Sequence, residues 1–216
     1  MPKTFTDDVG AALPSAIEGP LAVVDPADHT SIIMIDPAQR RIAAEGGASP
    51  TRSVFVPFLR QYATATATFI GQTLACHQIS SITSGGYHAA PLPLPPDMNL
   101  NEPSHVRVLV APFADDTGTG EVVRLSLGVT AIAPGQAAAD STINYDWTVP
   151  DNWLVNDPRL VLIDNGAGRT FDGGAFDEGT LLGLRIARLG SATEDTFDKS
   201  LSIVNSLVFE YTAKEI

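Results

Sequence analysis

Cys76 and His77 stand side by side, and a thiol next to an imidazole is the start of a metal site if further ligands can be found. The other histidines are His29, His88 and His105. None has a partner one helical turn away, and no HExxH frame surrounds any of them. Neighbours along a strand point to opposite faces, so Cys76 and His77 are expected to diverge rather than share an ion. The four histidines are therefore expected as core or surface side chains. Two acidic runs offer hard oxygen donors instead. Asp115-Asp116 with Glu121, and Asp172 with Asp177 and Glu178, contain the oxygens that calcium prefers. Neither follows the EF-hand spacing, and both are expected as solvated loop tips.

Gly166-Ala167-Gly168-Arg169 follows an apolar run and has the outline of a phosphate loop. It lacks the third glycine, the Lys-Ser/Thr pair and a following helix, so an inter-strand loop is expected. There is no Gly-x-Ser-x-Gly elbow to carry a nucleophile. Paired carboxylates for glycoside hydrolysis are defined only in three dimensions, and nothing in the spacing favours them. Tyr145, Trp147 and Trp153 gather near Pro150. Exposed, they would form a sugar-stacking platform or an interface anchor; buried, they would plug the end of a sandwich, and burial is the expectation. No catalytic, cofactor-binding or metal-binding residue is assigned.

The elements that must position these residues are almost all strands. Thr30–Ile35, closed by Asp36-Pro37, reads as a strand, and Arg41-Ile42 opens another; the proline-interrupted residues before them read as an extended arm. Gly46-Gly47-Ala48-Ser49-Pro50 reads as a linker. Ser53–Val56 is a strand that Pro57 should confine to an edge or an end. Tyr62 to Ile70 alternates Thr64, Thr66 and Thr68 with Ala63, Ala65 and Ala67, one strand with a small-residue face suited to an oligomer axis. Leu74–Ile82 is a further strand. Pro91-Leu92-Pro93-Leu94-Pro95-Pro96 reads as polyproline II. Val106–Ala111 and Val122–Val129, separated by Asp115-Asp116-Thr117-Gly118-Thr119-Gly120, form the clearest hairpin. Ala137–Trp147, Leu160–Ile163, Leu181–Arg188 and Leu201–Tyr211 continue the alternation. One helical turn is expected near Pro150-Asp151-Asn152-Trp153. The fold class is therefore all-β, an antiparallel, jelly-roll-like β-sandwich over residues 51–216, preceded over 1–50 by an extended arm or small β element used for attachment.

The 216 residues are enough to bury a core without covalent staples, and 44% of them are hydrophobic. One cysteine cannot make an internal disulfide, so the fold does not require an oxidising compartment. A formal net charge of −12 argues against a nucleic-acid partner. The opening Met-Pro-Lys-Thr-Phe-Thr-Asp-Asp has no apolar core of a signal peptide, and no apolar run reaches a membrane span, so no membrane partner is expected.

From about Leu92 onward the chain resembles jelly-roll-like virion structural proteins of tailed bacteriophages, particularly marine ones. The residues that carry the resemblance are Leu94-Pro95-Pro96-Asp97-Met98 leading into Val106-Arg107-Val108-Leu109-Val110, then Gly183-Leu184-Arg185-Ile186-Ala187-Arg188-Leu189, Ala192-Thr193-Glu194-Asp195-Thr196-Phe197 and the closing Val208-Phe209-Glu210-Tyr211. Ile33-Met34-Ile35-Asp36-Pro37 with Arg40-Arg41-Ile42 is similar to small β modules that attach phage head and tail fibres. The resemblance implies a non-enzymatic, cofactor-free virion protein assembled in the host cytoplasm. Capsid decoration (cement), as a homotrimer on the major capsid protein or other virion proteins, is the first expectation. A tail or fibre protein that binds a host receptor or glycan is the second, and a carbohydrate-active enzyme or binding module the third.

Overall fold

The computed structural model describes the backbone of residues 3–4, 21–24, 32–36, 41–45, 51–63, 66–70, 74–155 and 157–214. The chain divides into two compact units, Met1–Thr51 with Thr212–Ile216, and Arg52–Tyr211. In the first, β1 (Lys3–Thr4) runs parallel to β2 (Leu21–Val24), and β2, β3 (Ile32–Asp36) and β4 (Arg41–Glu45) pair antiparallel. The Gly46–Pro50 linker and His29 lie outside the described residues.

The second unit contains β5 (Thr51–Ala63, whose first residue closes the first unit), β6 (Thr66–Ile70), β7 (Leu74–Ile79), β8 (Ser84–Ala89), β9 (Leu92–Pro93), β10 (Ser104–Pro112), β11 (Val122–Ile132), β12 (Ala139–Thr148), β13 (Arg159–Leu162), β14 (Leu181–Leu189) and β15 (Leu201–Thr212). Pairing follows a rolled hairpin: β7 with β15, β8 with β14, β10 with β13 and β11 with β12, all antiparallel. Two sheets result, β7-β15-β10-β13 and β8-β14-β11-β12. That order is a jelly roll. β6 extends one edge, β9 caps part of β14, and β5 stands between β8 and β15, joining the two sheets.

Period-two alternation decides which side chains meet between the sheets. Val106, Val108 and Val110 of β10 and Leu201, Ile203, Leu207 and Phe209 of β15 are buried. So are Val123, Leu125, Leu127 and Val129 of β11 and Leu182, Leu184 and Ile186 of β14. Each fully buried aliphatic or aromatic side chain contributes about 1.5–3 kcal/mol relative to exposure.

Five expectations change. β10 and β11 are not a hairpin: they belong to opposite sheets, and the 113–121 link crosses the roughly 10 Å between them. Pro57 is neither at an edge nor at an end; it lies inside β5, which has neighbours on both sides. The β5–β8 register slips there between Phe58 and Arg60, and the Pro57 carbonyl accepts the Ala90 N–H at 2.7 Å. The Tyr62–Ile70 alternation belongs to two strands, the end of β5 and β6, and the side chains of its Ala/Thr face lie outside the described residues. The stretch near Pro150 is a turn rather than a helix, with Asn152 at φ 53°. Leu74–Ile82 stops at Ile79, and β8 follows a short turn.

Candidate functional site

The outer face of β8-β14-β11-β12 carries a cleft of about 340 Å³. Because β11 and β14 turn Leu127, Val129, Leu184 and Ile186 inward, Gly128, Thr130, Gly183 and Arg185 must face out. Register then sets the lining in rows. His88, Arg185, Gly128 and Thr142 form one row across four strands, which Arg60 of β5 continues beside the cleft; Gly183, Thr130 and Asp140 form the next. Two glycines make the depth. A Cβ on Gly128 would stand 3.1 Å from Arg185 Nε and Nη2, so the guanidinium lies across the bare backbone there. Thr130 Oγ1 donates to Asp140 Oδ1 at 2.6 Å, which orients both groups at the rim.

The row is electropositive. Burial, then the guanidiniums of Arg185 and Arg60, hold His88 below the ordinary imidazole value. A neutral imidazole between two cations offers one donor and one acceptor. Among the described residues no Trp, Tyr or Phe lines the cleft, so its lining offers charge and hydrogen-bonding groups rather than a ring-stacking face.

The aromatic cluster lies elsewhere. Trp153 is fully buried, with Trp147 edge-on at 5.1 Å and Phe197 at 5.7 Å between centroids. Trp147 and Tyr145 are half-buried. Cys76 is buried; the His77 side chain lies outside the described residues. His105 is half-buried on β10, and burial with Arg107 lowers its pKa against the opposing pull of Glu210 and Asp164.

The Gly166 loop is a nest of amides already filled by its own chain. Asp164 Oδ1 accepts N–H groups from Gly166 (2.8 Å), Ala167 (3.0 Å), Gly168 (2.8 Å) and Arg169 (3.2 Å). Burial pushes the Asp164 carboxyl up, and the four amides outweigh it and hold the group below the usual range. The acidic runs separate. Asp115 accepts the Val155 N–H, Asp172 pairs with Arg169, and Asp177 accepts from Gln136. Asp116 and Glu121 come together, and Asp198, from a distant part of the sequence, joins them. Only spatial proximity marks Asp198. The cleft residues come from four strands and share no local motif; parity along β11 and β14 is the one signal that places them on a common face.

No family model matches the chain, and no curated protein matches it. Solved structures with some likeness include TmCBM61 in complex with β-1,4-galactotriose (8% identity, TM-score 0.33, covering 74% of this chain and 88% of that one). Another is SGBP-B from a complex xyloglucan utilization locus in Bacteroides uniformis (14% identity, TM-score 0.40, covering 94% and 58%). A third is infectious bursal disease virus Gt strain (11% identity, TM-score 0.34, covering 88% and 40%). The jelly roll rests on the strand order of this chain, and what those proteins bind or build is theirs.

Proposed function

We propose that this protein is a non-enzymatic virion structural component that works by adhesion, gripping an acidic glycan in the cleft of β8, β14, β11 and β12. The observation that carries the reading is the Arg60–His88–Arg185 row on the outer face of a chain with net charge −12. A guanidinium fork suits a carboxylate or sulfate, while Thr130, Thr142 and Asp140 supply partners for sugar hydroxyls. The virion assignment draws on the resemblance of the Leu92-to-C-terminus pattern to phage structural proteins, and this cleft favours the tail or fibre location. Weak single sites multiplied by a homotrimer, and by copies per particle, give avidity without chemistry.

The test is an array of neutral, carboxylated and sulfated glycans probed with the wild type and Arg185→Ala. Retention of acidic glycans, weakened about tenfold or more in the variant, is expected from the loss of a charge-assisted contact. Neutral-only binding, or binding indifferent to Arg185, rejects the reading.

A second reading, capsid decoration, is favoured by one observation. Phe55 and Leu59 of β5 are 71% and 68% exposed, with Pro57 exposed between them on the same face. An apolar strip of this kind suits a partner surface on the capsid. Phe55→Asp with Leu59→Asp should release a decoration protein from the shell and leave a fibre protein in place.

A further inference from the structure

Asp116, Glu121 and Asp198 each offer one carboxylate oxygen within 4.8 Å of those of the other two. Asp116 and Glu121 come from the link between β10 and β11, and Asp198 from the link between β14 and β15. The backbone holds all three in place. The Asp116 N–H donates to the Trp153 carbonyl at 2.9 Å, and its Oδ1 accepts the Gly118 N–H at 3.2 Å. The Val122 N–H donates to Thr196 Oγ1 at 2.9 Å, and the Val122 carbonyl accepts Thr196 and Phe197. Arg188 grips the Phe197 and Lys199 carbonyls on either side of Asp198. Gly118 leaves room for the Glu121 carboxylate, since a Cβ there would stand 2.7 Å from Glu121 Cδ.

Asp116 is only 2% exposed, yet its Oδ2 is buried with no hydrogen-bond partner, and so is Oε2 of Glu121. Buried acceptors are normally satisfied, so two adjacent orphans in one acidic cluster call for a missing donor or cation. Among the described residues the ammonium at hand is spoken for: Lys199 Nζ sits 2.5 Å from Asp198 Oδ1, with its side chain 34% exposed. Three carboxylates against one ammonium leave the cluster negative.

We propose that Asp116, Glu121 and Asp198 form a site for a hard divalent cation, calcium in class. The donor set is all oxygen, which disfavours zinc and copper. Calcium–oxygen bonds of about 2.3–2.6 Å let opposite ligands stand about 5 Å apart, so three oxygens this close fit one coordination sphere. The ion engages the two orphan oxygens and displaces the Lys199 ammonium toward solvent. With three carboxylates and the remaining positions taken by water, binding falls in the weaker range of calcium sites. The ion would tie the 113–121 link to the strap before β15, clamping one end of the sandwich.

The experiment uses the full chain, stripped with chelator and titrated with CaCl₂ while melting temperature is read. In parallel, terbium luminescence excited through the nearby tryptophans reports occupancy directly. Saturable binding with a rise in melting temperature is expected. Asp198→Asn, on an exposed side chain, keeps the fold and weakens calcium about tenfold; Asp116→Asn abolishes saturable binding. Lys199→Ala removes the competing ammonium and tightens it. The proposal is overturned if terbium and calcium show no saturable binding to millimolar concentration, or if NaCl at matched ionic strength reproduces the shift. It is equally overturned if Asp198→Asn binds like the wild type.

Discussion

The two ends of the sandwich both gather acidic loop residues and treat them in opposite ways. At the end beyond β13, four backbone N–H groups converge on Asp164. At the end where β10 hands over to β11, Asp116 and Glu121 each keep an oxygen without a donor. Both loops are rich in Asp and Gly, so composition does not separate them. What separates them is where the amides point: a tight turn after Asp164 aims four successive N–H groups at one oxygen, whereas in the 113–121 link Gly118 donates to Asp116 and the N–H groups of Phe113, Asp116 and Gly120 go to Ser200, Trp153 and Asp151. A loop of the first kind is a closed electrostatic unit, and one of the second kind is open to a cation.

The largest effect should come from a carboxylate at the open end that is fully satisfied. Arg188 and Asp195 both have side chains at 0% exposure. Arg188 Nε donates to Asp195 Oδ2 at 2.9 Å and Nη2 to Oδ1 at 2.6 Å, and the Arg124 N–H adds a third donor at 3.0 Å. Removing one partner of such a pair leaves a buried charge alone. Arg188→Met should therefore cost about 3–5 kcal/mol in urea unfolding. Replacing both, Arg188→Met with Asp195→Leu, should recover much of that loss. If the single variant unfolds at the wild-type midpoint, the strap is not held by this clamp, and the contrast between the ends loses its anchor.

Arg188 also shows what was legible in the sequence. It shares the parity of Leu182, Leu184 and Ile186, whereas Arg185 does not, so alternation alone puts one arginine inside and the other on the cleft. Parity likewise marks β10, β11, β14 and β15 and their buried faces. It is silent on which sheet a strand joins, which is why β10 and β11 read as a hairpin. It is also silent where glycine replaces side chains. β8 reads Ser84-Gly85-Gly86-Tyr87-His88-Ala89, and its glycines hide a strand. Yet Gly86 is there for close approach, because a Cβ would run into the Ile186 carbonyl. The cleft depends on tertiary register and has no local signature; of the acidic cluster, Asp116 and Glu121 stand close in sequence, and Asp198 joins them only through the fold.

Asp164→Asn tests the closed end and should have the next largest effect. The folded state holds the Asp164 carboxyl below its ordinary value of 3.8, so its stabilisation is present above that value and fades as pH falls through the depressed one. The Asn variant keeps the shape but loses the charge that the four amides favour. It should melt a few degrees below the wild type at neutral pH, and the gap should close in acid. A gap that is independent of pH would mean that the amides hold the loop by geometry alone.

Glu121→Gln tests the open end, with a smaller effect of opposite sign. Burial first, then the charges of Asp116 and Asp198, and last a hydrogen bond with the Asp116 carboxyl, raise the Glu121 carboxyl above its ordinary value of 4.5, against the pull of Lys199. A raised acid binds its proton more tightly when folded, so the ionised wild type carries a penalty above the raised value that vanishes below the ordinary one. In chelator, the Gln variant should therefore be slightly more stable than the wild type at neutral pH and equal to it in acid. Adding calcium should invert the order, because the ion needs the charge that Gln lacks. The two ends would then differ in kind: at one, removing a carboxylate charge costs stability wherever that carboxylate is ionised; at the other, the sign depends on what occupies the site. A Gln variant that is less stable than the wild type in chelator at neutral pH would show Glu121 already paired, and would erase the distinction.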